Sequence, residues 1–181
     1  MRPSPLWSGF NAYAGPVSTL ARTDGELKAL REAGLARLYL GVESGSDTVL
    51  KAVRKGVDAA GMLEAGRRLV AAGFDVWVMV LIGLAGPGAA SRAHALDTAA
   101  MINAMGPRHL CRPDLYPRRG APVLGRAVER GSFRLLTARE ALEETRLLLE
   151  HLEVNPLHFT SDHASNYLPL KGGLPEDRGG C

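Results

Sequence analysis

The 181-residue chain is 46% hydrophobic and 23% charged, and its 22 Lys and Arg residues against 19 Asp and Glu residues give a net charge of +3. This balance is typical of a soluble globular domain. The basic residues are scattered and not interleaved with aromatic ones, so nucleic acid is not an expected partner. The longest apolar run, residues 76–84, is too short to cross a membrane. The N-terminus lacks the apolar core of a signal peptide, which predicts a cytoplasmic location.

The first half of the chain repeats one order of elements: helix, glycine, apolar strand. A capping box at Thr23 and Glu26 and an N-cap at Asp58 mark the starts of two helices, and glycine after the last apolar position marks helix ends. A strand is predicted over residues 9–14, and each of three later helices is followed by Gly34, Gly73 or Gly106 and then by a strand. These later strands are predicted over residues 37–42, 75–83 and 108–115.

Strands alternating with helices in this way predict a parallel sheet covered by helices. Either a barrel or an open doubly wound sheet fits four such strands, and both place ligands at the carboxyl ends of the strands. After a Pro- and Arg-rich loop, a second capping box at Thr137 and Glu140 predicts a long amphipathic helix to about residue 152, followed by a tail rich in His, Pro and Gly.

Two loops at predicted strand ends carry the polar groups of a candidate ligand site. The first is Glu43-Ser44-Gly45-Ser46, where the carboxylate can bind a ribose hydroxyl or an ammonium group and the glycine lets backbone N–H groups approach a ligand. An alternative role for this loop is to cap the short helix that follows, through Ser46 or Asp47. The second loop, over residues 83–88, is Gly-rich, and we expect it to line the same pocket beside the first loop.

These loops, together with further segments along the chain, resemble radical S-adenosylmethionine (SAM) enzymes. The resemblance is greatest to the branch of elongator-type and oxygen-independent coproporphyrinogen oxidase-type barrels. It covers residues 10–14, 26–35, 38–56, 81–86, 116–122, 131–133 and 159–168. It implies a partial parallel (βα)6 barrel of the TIM type with strands three to six present, plus a C-terminal helix and tail. The implied division is a barrel part over residues 1–133 and an extension over residues 134–181.

The resemblance also implies a cofactor chemistry and a set of site residues. In such enzymes a 4Fe–4S cluster binds SAM, and one electron cleaves it to a 5′-deoxyadenosyl radical that abstracts hydrogen from a substrate. Contacts to SAM are implied for Tyr13, Glu43, Ser44, Ile82, Gly83 and Gly86. Arg112 and Asp114 are implied to face the substrate or the SAM carboxylate. A polar group in the tail, which we expect to reach over the barrel mouth, consists of Asp162, His163 and Asn166.

The cysteines depart from the family pattern. The family holds its cluster with a Cys-x-x-x-Cys-x-x-Cys motif, whereas this chain has only Cys111 and Cys181. Two such distant cysteines exclude a disulfide framework, a zinc ribbon and a self-contained cluster, so no metal ligands are expected here. We therefore predict an N-terminally truncated fragment of a radical SAM enzyme, inactive alone.

Three further expectations concern partners and alternatives. The complete enzyme would take a small-molecule substrate and a reductant such as flavodoxin or ferredoxin. The alternative function is a non-catalytic module that binds adenosine or SAM. A different βα barrel, such as an aldolase-like enzyme, would need a Schiff-base lysine or a metal triad at the strand ends, and the sequence shows neither. An unpaired sheet edge near Tyr13 predicts a tendency to aggregate.

Overall fold

The computed structural model describes residues 9–112, 124–162 and 166–177. Six strands form one sheet in the sequential order β1 to β6, with β1 to β5 parallel and β6 antiparallel to β5. The strands are β1 (Phe10–Ala14), β2 (Leu35–Glu43), β3 (Asp75–Val80), β4 (His109–Cys111), β5 (Leu157–Thr160) and β6 (Lys171–Leu174). The helices are α1 (Pro16–Leu20), α2 (Asp24–Glu32), α3 (Asp47–Ala52), α4 (Ala59–Ala71), α5 (Ala89–Met105), α6 (Leu124–Glu129) and α7 (Ala138–Glu150).

The hydrophobic core lies between one face of this sheet and the helices. Alternate residues of the strands, such as Leu40, Val78 and Leu110, are fully buried in one cluster with helix residues such as Met62 and Ile102. A doubly wound sheet reverses its strand order and has helices on both faces, whereas this sheet runs in order with one helix-covered face. The arrangement is therefore an open arc of a barrel, and the predicted fold class is confirmed.

The opposite, concave face of the sheet carries a row of rings, one from each parallel strand. Register pairs align Tyr13, Tyr39, Trp77, His109 and His158 across β1 to β5. Neighbouring ring centroids lie 4.3 to 5.8 Å apart along the row. Trp77 is only half-buried and lies on this concave face. The strands are consequently apolar toward the helices and mixed toward the concave face.

A charged group beside the middle of this row joins three strands. The Asp75 carboxylate accepts hydrogen bonds from Arg37 Nε at 2.8 Å and from Trp77 Nε1 at 3.1 Å, and His109 Nε2 lies 3.3 Å from it. Burial alone would raise the pKa of Asp75, but these donors outweigh burial and lower it. The Arg37 guanidinium also lies 4.4 Å from the centre of the Trp77 ring.

The capping residues in the sequence predicted the starts of three helices correctly. Both capping boxes are present, at Thr23 with Glu26 and at Thr137 with Glu140, and Asp58 caps α4. Ser46 occupies the N-cap position of α3 without a side-chain cap bond, whereas Asp47 accepts a hydrogen bond from the Ala59 N–H that begins α4. The expected cap of α3 by either residue is therefore wrong.

The strands β5 and β6 lie in the segment that the sequence indicated only as a tail. They continue the sheet beyond β4, through pairing of Leu110 with Phe159 and of Phe159 with Gly172. The predicted division of the chain after residue 133 stays a prediction, and the sheet runs across it. None of the helices in the described part of the chain combines the length and apolar character that a bilayer crossing needs.

Candidate functional site

Glu43 ends β2 at the carboxyl edge of the sheet, on the concave side. Its backbone is left-handed, with φ of 65°, and the register with β3 shifts between Gly41 and Glu43. A non-glycine residue adopts this conformation rarely, because it costs about 1 kcal/mol or more. The turn folds the Glu43 carboxylate back toward the sheet, where Lys55 Nζ lies 3.0 Å from Oε1. Both side chains are about one-fifth exposed, so the ion pair reaches solvent.

Gly41 makes room for this ion pair. A Cβ atom at position 41 would lie 2.5 Å from Glu43 Oε1 and 3.1 Å from Lys55 Nζ. The absence of a side chain therefore allows the carboxylate and the ammonium group to lie over the strand. The Lys55 ammonium offsets the charge of Glu43 and fixes its direction. Sequence reasoning missed Lys55 as a site residue, although its position just after α3 was a usable signal.

Ser44 and Gly45 lie on the other side of the same loop, against α5. The Ser44 hydroxyl is fully buried, accepts from the Ser46 N–H at 3.0 Å and lies 2.8 Å from His94 Nδ1. The Gly45 N–H donates to Thr98 Oγ1 at 2.9 Å. A Cβ on Gly45 would lie 2.2 Å from the Asp97 carbonyl oxygen, so the close approach that glycine permits is to α5 and not to a ligand.

The loop after β3 is held in a similar way. Ile82 is buried, and the Gly83 N–H donates to Glu144 Oε1 of α7 at 2.8 Å. The Gly86 N–H donates to the Gly83 carbonyl at 3.1 Å, and Gly86, with φ of 72°, has Phe133 against it. The structure thus places these three residues beside the Glu43 loop, because the Leu81 N–H donates to the Glu43 carbonyl.

Glu144 is the buried carboxyl group at the centre of these contacts. Its side chain is fully shielded from solvent, and its two oxygens accept from the Gly83 N–H and from the Ser91 hydroxyl. His94 Nε2 lies 3.6 Å from Oε1. Burial raises the pKa of Glu144 above its ordinary value, although His94 and the hydrogen-bond donors act in the opposite direction. Sequence reasoning missed Glu144, because on α7 it is one acidic residue among several.

Three of the residues predicted to face the substrate, Arg112, Asp162 and Asn166, lie along the same edge. Arg112, directly after β4, is buried, and its Nη1 donates to Thr145 Oγ1 at 2.7 Å. Asn166 Nδ2 donates to the Arg112 carbonyl at 3.0 Å. Asp162 follows β5 and is exposed, with Lys171 Nζ 3.9 Å away. Asp114 and His163 lie outside the described residues.

Tyr13 lies in β1 and differs from the other predicted contacts. Its side chain is 81% exposed and contacts Tyr39 on the concave face, with 5.5 Å between ring centroids. The strand β1 is the first in the sheet order and pairs with β2. The predicted contact of Tyr13 with SAM, like the other predicted contacts, stays a prediction.

Ser44, His94 and Glu144 have the composition of a Ser-His-acid triad, but their environment does not suit nucleophilic catalysis. The nucleophile of such a triad must be open to a substrate, whereas all three side chains are buried between α5, α7 and the sheet. Their contacts hold the loops. Among the described residues no group of three or more His, Cys, Asp or Glu side chains could hold a metal ion.

Comparisons with known proteins agree with this geometry. Residues 14–99 match the profile of the radical SAM superfamily. The archaeal Methanocaldococcus infernus Elp3, with an N-terminal deletion, has a similar fold with a TM-score of 0.66 and 17% identity, over 81% of this chain and 33% of that one. Coproporphyrinogen III oxidase (HemN) from Escherichia coli, a radical SAM enzyme, is similar with a TM-score of 0.59 and 16% identity, over 77% of this chain and 31% of that one.

At these identities the two structures show the fold alone, and the chain spans about a third of their length. No curated protein matches the chain significantly. The profile match includes Glu43, Ser44, Ile82, Gly83 and Gly86, and it extends to α5. The predicted resemblance to the radical SAM superfamily is thereby confirmed for residues 14–99, which match the profile of that superfamily. The open barrel arc of the chain agrees with the folds of the two structures.

Proposed function

We propose that this chain supplies part of the SAM-binding wall of a radical SAM enzyme, with Glu43 as its polar contact to SAM. The observation that carries the proposal is the position of the Glu43 carboxylate at the carboxyl end of β2, on the concave side and partly open to solvent. Ligands of barrel enzymes bind at this end of the strands. An ionised carboxylate there accepts hydrogen bonds from ribose hydroxyls or pairs with an ammonium group.

Each residue of this edge has a distinct part in the proposal. Lys55 orients Glu43, and Ile82 with the Gly83–Gly86 turn borders the adenine. The Gly83 N–H already donates to Glu144, so this turn offers shape and carbonyl oxygens in place of that N–H group. Asp162 and Asn166, after β5, and the buried Arg112, after β4, lie toward the substrate.

The general reaction of the superfamily is reductive cleavage of SAM, which depends on a 4Fe–4S cluster. The cysteines of this chain do not fit that cluster, because it needs three cysteine thiolates of one motif and the chain has Cys111 and Cys181. Burial also raises the pKa of the Cys111 thiol, which disfavours the thiolate that metals bind. We propose that the chain is inactive alone. A small-molecule substrate, a flavodoxin or ferredoxin reductant and a cytoplasmic location belong to the same proposal.

Titration calorimetry with SAM tests the binding role. We expect a dissociation constant above about 10 μM, which corresponds to a binding free energy smaller than about 7 kcal/mol in magnitude. The reason is that Glu43 makes few of the contacts that a full site would provide. Glu43→Gln should weaken binding further by about tenfold, because a charge-assisted hydrogen bond contributes about 1.5 kcal/mol or more. Glu153→Gln, an exposed acidic residue outside the site, is the control. Equal affinity of the wild type and Glu43→Gln would contradict the role of Glu43.

A second candidate function is a non-catalytic module that binds adenosine or SAM, and the cysteine count favours it. Binding of SAM with a dissociation constant below about 10 μM would support the module, because an enzyme fragment that lacks the cluster should bind SAM more weakly. Anaerobic incubation with iron and sulfide, followed by iron analysis and electron paramagnetic resonance, separates both from an active enzyme. A stoichiometric four-iron cluster in the wild type would contradict the claim that the chain is inactive alone.

A further inference from the structure

We propose that Glu144 is a positioning residue that fixes the loops after β2 and β3 relative to each other. It does so through one set of polar contacts, Ser44–His94–Glu144–Gly83. The proposal rests on the proposed function in one respect, namely that these two loops bound a SAM pocket. This set of polar contacts joins the two loops to α5 and α7. Ser44 is 50 residues from His94, and Gly83 is 61 residues from Glu144.

The tautomer of His94 determines which group donates and which accepts in each of these contacts. Its Nε2 lies 3.0 Å from the Leu81 carbonyl oxygen, which can only accept a hydrogen bond, and 3.6 Å from Glu144 Oε1, which is a polar contact longer than a hydrogen bond. Nε2 therefore carries the proton. In the neutral ring Nδ1 then accepts, so the Ser44 hydroxyl donates to His94 while it accepts from the Ser46 N–H.

The two oxygens of Glu144 are used in complementary ways. Oε1 accepts from Gly83 in the β3 loop, and Oε2 accepts from the Ser91 hydroxyl in the first turn of α5. The carboxylate therefore joins the loop to the helix that follows it. His94, one turn farther along α5, extends the connection to the β2 loop.

The neighbouring residue extends the same helix to a third strand end. Thr145 accepts from Arg112 after β4 at 2.7 Å and donates to the Ala141 carbonyl at 2.6 Å within α7. Glu144 and Thr145 are both buried. Adjacent residues of α7 thus contact the loop after β3 and the residue after β4.

A role in packing alone would not need a carboxylate at position 144. Burying an ionised group costs several kcal/mol, and apolar residues of similar volume often serve stability as well or better. Buried polar groups can instead orient the residues of a site, as the hydrogen-bond partners of metal-ligating residues do. The filled acceptor positions of Glu144 fit a role of this kind.

Nuclear magnetic resonance of the ¹⁵N-labelled chain, with Glu144→Gln and Glu144→Ala, tests the proposal. In Glu144→Ala we expect the Gly83 amide to exchange with solvent about tenfold faster than in the wild type, since a buried donor loses its acceptor. Glu144→Gln should restore most of this protection, because its amide oxygen still accepts from Gly83. The His94 ring nitrogens should report the Nε2-protonated tautomer in the wild type and a shifted signal in both variants. SAM affinity should fall about fivefold in Glu144→Ala and less in Glu144→Gln.

Glu143→Gln is the matched control, since Glu143 is the exposed neighbour on α7 and pairs with Arg139 at 2.9 Å. It should leave Gly83 exchange, the His94 signals and SAM affinity as in the wild type. Unchanged Gly83 exchange and His94 signals in Glu144→Gln and Glu144→Ala would overturn the positioning role, and if Glu144→Ala does not fold, the His94 signals of Glu144→Gln decide. Absence of SAM binding by the wild type would instead contradict the proposed function, while these two signals would still test Glu144.

Discussion

The two sides of the carboxyl edge of the sheet differ in how their polar groups are satisfied. Toward the helices, the buried Ser44 hydroxyl is hydrogen-bonded to His94 and to a backbone N–H group. The buried Glu144 carboxyl accepts from the Ser91 hydroxyl and from the Gly83 N–H. Toward the concave face, Glu43 and Lys55 form a partly exposed ion pair. Adjacent residues of one loop therefore have opposite functions: Ser44 holds the loop in place, and Glu43 remains accessible to a ligand.

This contrast follows from the alternation of side chains in a strand. Leu40 and Val42 point into the core, so Gly41 and Glu43 lie on the concave face and the next residue returns to the helix side. The loop after β2 thus contains two sets of residues, one that faces the ligand side and one that packs against the helices. The variants below separate these sets.

The largest expected effect is on stability, from Gly45→Ala. Its Cβ would lie 2.2 Å from the backbone oxygen of Asp97, which cannot move without displacing α5. We expect a loss of about 3 kcal/mol in the free energy of unfolding, measured with urea. Gly25→Ala in α2 is the control, because its Cβ would make only an ordinary contact at 3.9 Å. A Gly45→Ala protein as stable as the wild type would show that the loop does not pack tightly on α5.

The second effect is a pH dependence due to Glu144. Because its pKa is higher in the folded protein than the ordinary 4.5, the folded state binds more protons than the unfolded state at pH values above 4.5. The stability of the wild type should therefore fall, relative to that of Glu144→Gln, as the pH rises from about 5 to about 7.5. Urea unfolding of both proteins at the two pH values measures this difference. A constant difference would mean that the buried carboxylate keeps an ordinary pKa.

The third effect separates binding from folding on the concave side. In Gly41→Ala the new Cβ meets only the ends of the Glu43 and Lys55 side chains, which can rotate away. We expect a stability loss of about 0.5 kcal/mol, as for a surface ion pair, together with weaker SAM binding in calorimetry. If Gly41→Ala destabilised the protein as much as Gly45→Ala, the two sides of the loop would not differ as described.

The smallest effect is expected at the start of α7. The Arg134 guanidinium and the cap bonds from Thr137 lower the pKa of Glu140 to about 2. The stabilisation by Glu140 is present above the ordinary pKa of 4.5 and should be lost as the pH falls toward 2. Glu140→Gln should be less stable than the wild type at neutral pH, with a difference that shrinks in acid, as monitored by thermal unfolding. A difference independent of pH would show that the charge has no part in the cap.

The sequence was most informative where structure depends on neighbours along the chain. The capping boxes at Thr23 and Thr137, the glycine at the end of α5 and the apolar strands β2 and β3 all follow from local patterns. The short strands β5 and β6 were missed, because four residues among His, Pro and Gly give little periodicity. The strand-end position of Glu43 was also predictable.

The orientations of Ser44, Gly45 and Gly83 were not predictable, because their partners lie on α5 and α7. Nothing near Gly83 indicates that its N–H donates to a residue 61 positions away. Gly45 was read as a glycine that lets the backbone approach a ligand, and the structure shows an approach to a helix of the same chain. That interpretation of Gly45 is wrong.

Mapping SAM on the ¹⁵N-labelled chain by chemical-shift perturbation tests the central claim most directly, because it detects binding at dissociation constants of about 1 mM. We expect the largest backbone shifts at Glu43, Lys55 and Ile82, on the concave side of the edge, and their loss in Glu43→Gln. Shifts confined to the opposite end of the strands, near Arg31 and Arg108, or no shifts at all, would contradict it.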